Sequence, residues 1–504
     1  MNCDQNSKAP CIAVFGTGSD VGKSIVATAV CRWFANQGFH VAPYKAQNMS
    51  NNSGVTPEGL EMGRAQIVQA EASRIAPQVD MNPILLKPTS DVGSQVVLMG
   101  RALENNTAAE YHRKKERLFK AACDALNRLR EDYDLVVIEG AGSCAEVNLM
   151  DHDIVNFRIA EVADCPVILV GDIHRGGIFA QLVGTLACLP EKNRQRIAGF
   201  IVNRFRGDIN LFKDGVQWIE QQTGKPVFGV LPHYSHIHID PEDSVVIESP
   251  KPVHIADADK AAVAVLRIPH IANFTDFDPL AVIDGVSLHF VEQPQALSMF
   301  RAVILPGTKN TRHDLEWLFA STWVSHLRFY VENGGRILGI CGGYQMLGEY
   351  VADPDGIEGP PGTTPGLGLL PIRTVLKAPK TTTRTCFNWE DTPGEGYEIH
   401  MGRTEHLGGT CLLDVHTRNG KPATGHDGCA GDNGRVLGTY IHGFFDTAGI
   451  TAKWLAQIGL SRIDVPETGG APAKDKQYEL LAEHTARHVD MAAIKALVDK
   501  ALDH

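Results

Sequence analysis

Residues 11–38 read CIAVFGTGSDVGKSIVATAVCRWFANQG. CIAVF is a short, wholly apolar run of the kind that forms a strand covered on both faces. Beyond Ser24, residues Val26, Val30, Trp33 and Phe34 recur at helical spacing, and Gly38 stands where a C-terminal cap is expected. A strand that turns through GTGSDVGKS straight into a helix aims backbone N–H groups and the helix N-terminus at phosphate oxygens. In such a loop Lys23 reaches the β and γ phosphates and Ser24 holds Mg²⁺. Gly16, Thr17, Gly18, Ser19, Asp20, Val21, Gly22, Lys23 and Ser24 are therefore the expected ATP-binding loop.

The runs LVVIEG (135–140), CPVILVGD (165–172), IAGFIVN (197–203) and PVFGVLP (226–232) repeat this strand pattern between helical stretches. Continuous apolar strands separated by helices indicate a mostly parallel sheet. A polar, proline-bearing stretch follows from Pro232 to Asp259, and strand and helix alternation restarts at AAVAVLRIPHI. The predicted organisation is α/β with two domains, 1–250 and 260–455, each a mostly parallel sheet covered by helices. The boundary is expected near 250–260. In the second unit strands are expected at 261–268, 301–307, 335–341 and 435–442, with an irregular Gly/Pro/Thr-rich insertion over 352–395. Residues 456–504 read as a helical C-terminal extension whose amphipathic end caps or packs on the body.

With 504 residues, two cores are the first expectation. Apolar residues make up 43% and charged residues 21%, and the 49 glycines and 27 prolines form no low-complexity block. No run approaches the ~20 apolar residues of a membrane helix, so a cytoplasmic protein with no membrane partner is expected. The eleven cysteines include no CxxC pair, which disfavours a disulfide framework or zinc ribbon. A net charge of −12 provides no basic footprint for nucleic acid.

The loop departs from the usual pattern, which has glycine where Thr17 stands; Gly16 lies one step earlier. This longer form resembles the loop of dethiobiotin synthetase and its relatives. Glu139, at the carboxyl end of a buried strand, is the expected second magnesium ligand, since a buried acid is costly without a cation. Glu61 could supply a third oxygen, and Lys45 is expected near the transferred phosphate.

GRILGICGGYQMLG places Cys341 at a glycine-flanked turn between strand and helix, the thiol counterpart of a nucleophile elbow. A helix N-terminus favours the thiolate. His442, ending RVLGTYIH, is the best placed of twenty histidines to act as base. The oxyanion donors are expected to be the N–H of Gly342 and one from the LPGTKN turn near Gly307 or Thr308. These residues resemble the class I glutamine amidotransferases, which carry a Cys and a His in this order. Many members have a Glu two residues after the His; here that position is Phe444, so the third member is missing or lies elsewhere.

Longer strings narrow the resemblance: YKAQNMSNNS, EMGRAQIVQAEA, MNPILLKP, VVIEGAGS, DIVNF, GDIHRGGIFA, ILPGTKN and GYEIHMG, over about residues 12–445. They are similar to the cobyrinic acid amidotransferases. The resemblance implies an ATP- and glutamine-dependent amide ligase of cobalamin biosynthesis, working through acyl phosphates on a cobalt corrinoid. Within the family the strings point to the branch that amidates the b, d, e and g carboxylates of adenosylcobyrinic acid a,c-diamide. A branch acting on two other carboxylates, or a P-loop ATPase switch with a vestigial glutaminase, stays open. Asn48, Asn51, Arg64, Asp153 and Arg175 are candidate corrinoid contacts, and His400 is expected to be a structural or interface residue.

Overall fold

The computed structural model describes residues 8–90, 93–242, 260–466 and 471–502. The expected boundary, apart from residue 260, lies outside the described residues.

The first half is built on a six-stranded, all-parallel sheet. Its order is Val227–Pro232, Ile197–Phe205, Val167–Asp172, Cys11–Gly16, Leu135–Glu139, Val41–Tyr44. The apolar runs become strands because helices cover both faces, so alternate side chains enter two cores, one with Ala13 and Phe15 and one with Ile12 and Val14. From Cys11–Gly16 the chain crosses to Val41–Tyr44 on one side, and from Leu135–Glu139 it crosses to Val167–Asp172 on the other. The carboxyl ends of Cys11–Gly16 and Leu135–Glu139 thus flank a topological switch point, where open α/β sheets bind ligands.

The second half contains a ten-stranded sheet. Val286–Val291, Ala261–Leu266, Ala302–Leu305, Ile337–Ile340 and Val436–Thr439 run parallel, and Lys421–Gly431, Thr410–Arg418, Thr381–Trp389, Thr392–His400 and Ile441–His442 continue it in antiparallel pairs. The stretch expected to be irregular, 352–395, is instead about half stranded, holding Gly362–Pro365, Ile372–Val375 and Thr381–Trp389. Its β-branched threonines suit a one-sided sheet, and burial alternates along CFNW at the end of Thr381–Trp389. The single strand expected over 435–442 is two, Val436–Thr439 and Ile441–His442. The carboxylate of Asp427 takes the Tyr440 N–H at 3.1 Å and the Thr439 hydroxyl, so the ladder breaks there.

The extension contains the helices Ala471–His488 and Met491–Leu502. They return to the first half: Met491, Ile494 and Val498 share a core with Ile12 and Val26, and Asp475 pairs with the buried Arg32. Among the described residues no helix is long and apolar enough to cross a membrane.

Candidate active sites

The loop between Cys11–Gly16 and the helix Lys23–Asn36 ends at Gly22, whose φ of 95° is left-handed and whose missing side chain leaves room for Asn203. Lys23 Nζ donates to the Gly18 carbonyl at 2.8 Å, curling over the loop. Ser24 Oγ lies 2.8 Å from Glu139 Oε1 and 2.7 Å from Glu242 Oε2. Lys45 Nζ is 3.0 Å from the same Glu139 oxygen and also pairs with Glu242. Burial raises the Glu242 carboxyl, but Lys45 and the Ser24 hydroxyl outweigh it and hold the group below the usual range. A hydroxyl and two carboxylates meeting at the loop are hard oxygen donors of the kind Mg²⁺ takes. Nothing in the spacing of HIHIDPEDS had singled out Glu242, which reaches Ser24 from 218 residues away.

Glu61 is not brought to this group. It is fully buried between Lys87 (Oε1, 2.8 Å) and Lys380 (Oε2, 2.6 Å), with Ser53 Oγ at 2.9 Å. These cations hold its carboxyl well below the usual range against burial. Lys380 precedes Thr381–Trp389 of the second half, so this ion cluster joins the two halves.

A cavity of about 690 Å³ opens from the loop and is lined by Lys23, Lys45, Asn48, Lys115, Asp153 and Arg204. Of the candidate corrinoid contacts, Asn48 and Asp153 face it. Asp153 also takes the N–H groups of Val155 and Asn156, and burial raises its carboxyl. Asn51 is partly buried, and its Oδ1 has no hydrogen-bond partner among the described residues. Arg64 turns away to Asp240, its Nε 2.9 Å from Oδ2, and lines a separate cavity of about 890 Å³ between the halves. The Arg175 side chain is 77% exposed, with Asp20 at 4.0 Å.

The second site centres on Cys341, which caps the strand Ile337–Ile340 at φ 52°, ψ −107°. A non-glycine residue held there is strained, as expected of an elbow presenting its side chain above a sheet. Close packing behind it requires Gly343, where a Cβ would lie 2.0 Å from the Leu305 carbonyl. A Cβ on Gly342 would lie 3.0 Å from the backbone nitrogen of Thr308, which puts Gly342 against the Gly307–Thr308 turn. His442 is buried in the same cavity. Its Nδ1–H donates to Asp276 Oδ2 at 2.7 Å, and the Gly443 N–H donates to Asp276 Oδ1 at 3.0 Å. Burial favours the neutral ring, but Asp276, and then Cys341, reverse this and raise His442 to about 10. Imidazolium beside a thiol stabilises thiolate.

Asp276 therefore occupies the position that Phe444 leaves empty in the local sequence. It comes from the turn Phe274–Phe277 at the start of the second half, where no periodic spacing marks it. His400 also lines the cavity. Its Nε2 lies 3.3 Å from Glu398, its ring stacks on Tyr440, and its buried Nδ1 has no hydrogen-bond partner among the described residues.

Residues 12–245 match the CobQ/CobB/MinD/ParA nucleotide binding domain family, and residues 262–449 match the CobB/CobQ-like glutamine amidotransferase domain family. The chain is 50% identical over 493 residues to the cobyric acid synthase of Chlorobium phaeobacteroides strain BS1, covering 97% of this chain and 99% of that one. It is 49% identical to that of Chlorobaculum tepidum, covering 96% and 97%. To that of Syntrophobacter fumaroxidans it is 45% identical, covering 96% and 97%.

Proposed function

The chain belongs to the cobyric acid synthase family of ATP-dependent glutamine amidotransferases, and from that membership we propose the following division of chemistry between its two sites. The substrate is adenosylcobyrinic acid a,c-diamide, and its b, d, e and g carboxylates are amidated at the cost of one ATP and one glutamine each, in the cytoplasm.

At the elbow, Cys341 Sγ attacks the carboxamide carbon of glutamine. The N–H of Gly342 and one from the Gly307–Thr308 turn receive the oxyanion. His442, held by Asp276, gives its proton to the leaving ammonia and then takes one from the water that cleaves the thioester. Glutamate and free enzyme result.

At the phosphate loop a corrin carboxylate oxygen attacks the γ-phosphorus of ATP, ADP leaves, and an acyl phosphate forms. Ammonia attacks its carbonyl carbon and expels phosphate. Lys23 and Lys45 offset charge on the transferred group. Ser24, Glu139 and Glu242 would hold Mg²⁺, which supplies further charge neutralisation when bound. Asn48 and Asp153, facing the 690 Å³ cavity, are the corrinoid contacts the geometry favours.

The observation that carries this reading is the pairing, in one chain, of a phosphate loop converging on Ser24 and Glu139 with a Cys341, His442 and Asp276 group. Mass spectrometry of the corrinoid after incubation with ATP and glutamine tests it. Four successive amidations of the a,c-diamide are expected, and unchanged a,c-diamide would refute it.

A further inference from the structure

The cavity over Cys341 is closed on one side by the first half of the chain. Lys87, from the strand Ile84–Ser90, lines it together with Lys309, Lys380 and Glu358 of the second half. Lys87 Nζ donates to Ser53 Oγ at 2.7 Å and to Glu61 at 2.8 Å, and Lys380 holds the other Glu61 oxygen. Glu358 accepts the Arg312 N–H at 3.3 Å and lies 3.4 Å from Thr311 Oγ1.

Among the described residues charge does not balance here: three lysines face two carboxylates, Glu61 and Glu358, and His442 is already matched by Asp276. A surplus cation away from bulk water is costly unless an anion meets it. Its strain is visible in the ammonium groups: burial, countered by Glu61 and reinforced by Lys87 and Lys309, pulls Lys380 down to about 7. Burial lowers Lys309 as well, against the attraction of Glu358.

A glutaminase substrate brings a carboxylate to meet the lysines and an ammonium to meet Glu358, so each group gains a partner while the net charge of the cluster is unchanged. With its carboxamide carbon at Cys341, its α-carbon lies three carbon–carbon bonds away, carrying one carboxylate and one ammonium. We propose that Lys87, Lys380 and Lys309 form the subsite for the α-carboxylate of glutamine and that Glu358 faces its α-ammonium, so the glutaminase site is completed by a residue of the synthetase half. The cavity of about 40 Å³ has room for little more than a water. Glutamine therefore enters as the lysine side chains shift to share the substrate carboxylate with Glu61, which keeps its ion pairs.

This rests on the glutaminase reading of Cys341, and the test separates the two. Ammonia release is measured with L-glutamine and with its α-carboxamide, which keeps the reacting group and lacks the carboxylate, for the full-length enzyme and for Lys87→Gln, Lys87→Arg and Lys380→Gln. Wild type is expected to prefer glutamine by about 10- to 100-fold in kcat/KM, the range for hydrogen bonds to charged groups. Lys87→Gln and Lys380→Gln are expected to lose that preference, chiefly through KM for glutamine, and Lys87→Arg to restore part of it. The ratio of the two substrates does not depend on the folded fraction, and Lys380→Gln reports from the other half should Lys87→Gln fold poorly. A preference unchanged from wild type in both Gln variants, or equal losses on both substrates, would overturn the subsite and leave the nucleophile standing. Glutamine hydrolysis surviving in Cys341→Ala would overturn the nucleophile itself.

Discussion

His442 and Asp276 lie 166 residues apart and meet through a 2.7 Å hydrogen bond, with both side chains buried. Asp276 fixes the ring by accepting from Nδ1, which leaves Nε2 for the reaction and makes the ring cationic at neutral pH. Asp276→Asn should therefore lower glutamine-dependent synthesis by about 10²-fold, the low end of what acid–base assistance supplies. Synthesis from ammonium salts, measured side by side, should hold. Equal losses with both nitrogen sources would remove Asp276 from the glutaminase.

The same pair makes stability depend on pH. The His442 ring is raised from 6.5 to about 10 in the folded chain: burial works against this, and Asp276 and then Cys341 outweigh it. Its contribution is thus fully present below pH 6.5 and is lost as pH rises through about 10. Denaturant unfolding across that window should show wild type losing more stability than Asp276→Asn. Parallel pH curves for the two would contradict it.

Cys341→Ala should abolish glutamine-dependent amidation and spare amidation from ammonium salts, because the phosphate loop lies more than three hundred residues away in a different sheet. Loss of both in a folded variant, assayed by mass spectrometry, would assign Cys341 a wider role.

Lys23→Ala and Glu139→Ala should remove amidation with either nitrogen source, since both stand at the proposed site for ATP and Mg²⁺. Glu242→Gln should be milder, raising the Mg²⁺ concentration needed for ATP binding by about 10-fold, an effect of one lost charged contact. Calorimetric ATP titrations at several Mg²⁺ concentrations measure this directly, and an unchanged Mg²⁺ requirement would exclude Glu242 as a ligand.

A chain with one phosphate loop and one nucleophile elbow must amidate successive carboxylates at one place, so the corrinoid reorients or dissociates between rounds. Partially amidated intermediates should appear free in solution. In a chase of labelled a,c-diamide with excess unlabelled substrate, label should be diverted into them. Passage of all label to the fully amidated product would mean that the corrinoid stays bound.

Two pieces of chemistry were legible in the chain because each is local. The phosphate loop occupies residues 16–24 and the elbow surrounds Cys341, and in both cases a strand, a turn and a helix in sequence order set the geometry by short-range bonding. Most parallel strands were equally legible, since burial on both faces leaves continuous apolar runs, but the edge strand Val286–Val291, only partly buried along its middle, was not. The antiparallel strands within 352–395 were not, because glycine, proline and threonine there look like loop until pairing partners supply the other edge. Only the tertiary structure decided which acids and bases meet. Asp276 reaches His442 across 166 residues, Glu242 reaches Ser24 across 218, and Lys380 reaches Glu61 across 319. A charge pair depends on distance in space and imposes no period on the chain, so Asp276 and Glu242 acquire their partners only when each half folds, and Lys380 meets Glu61 only when the two halves close on one another.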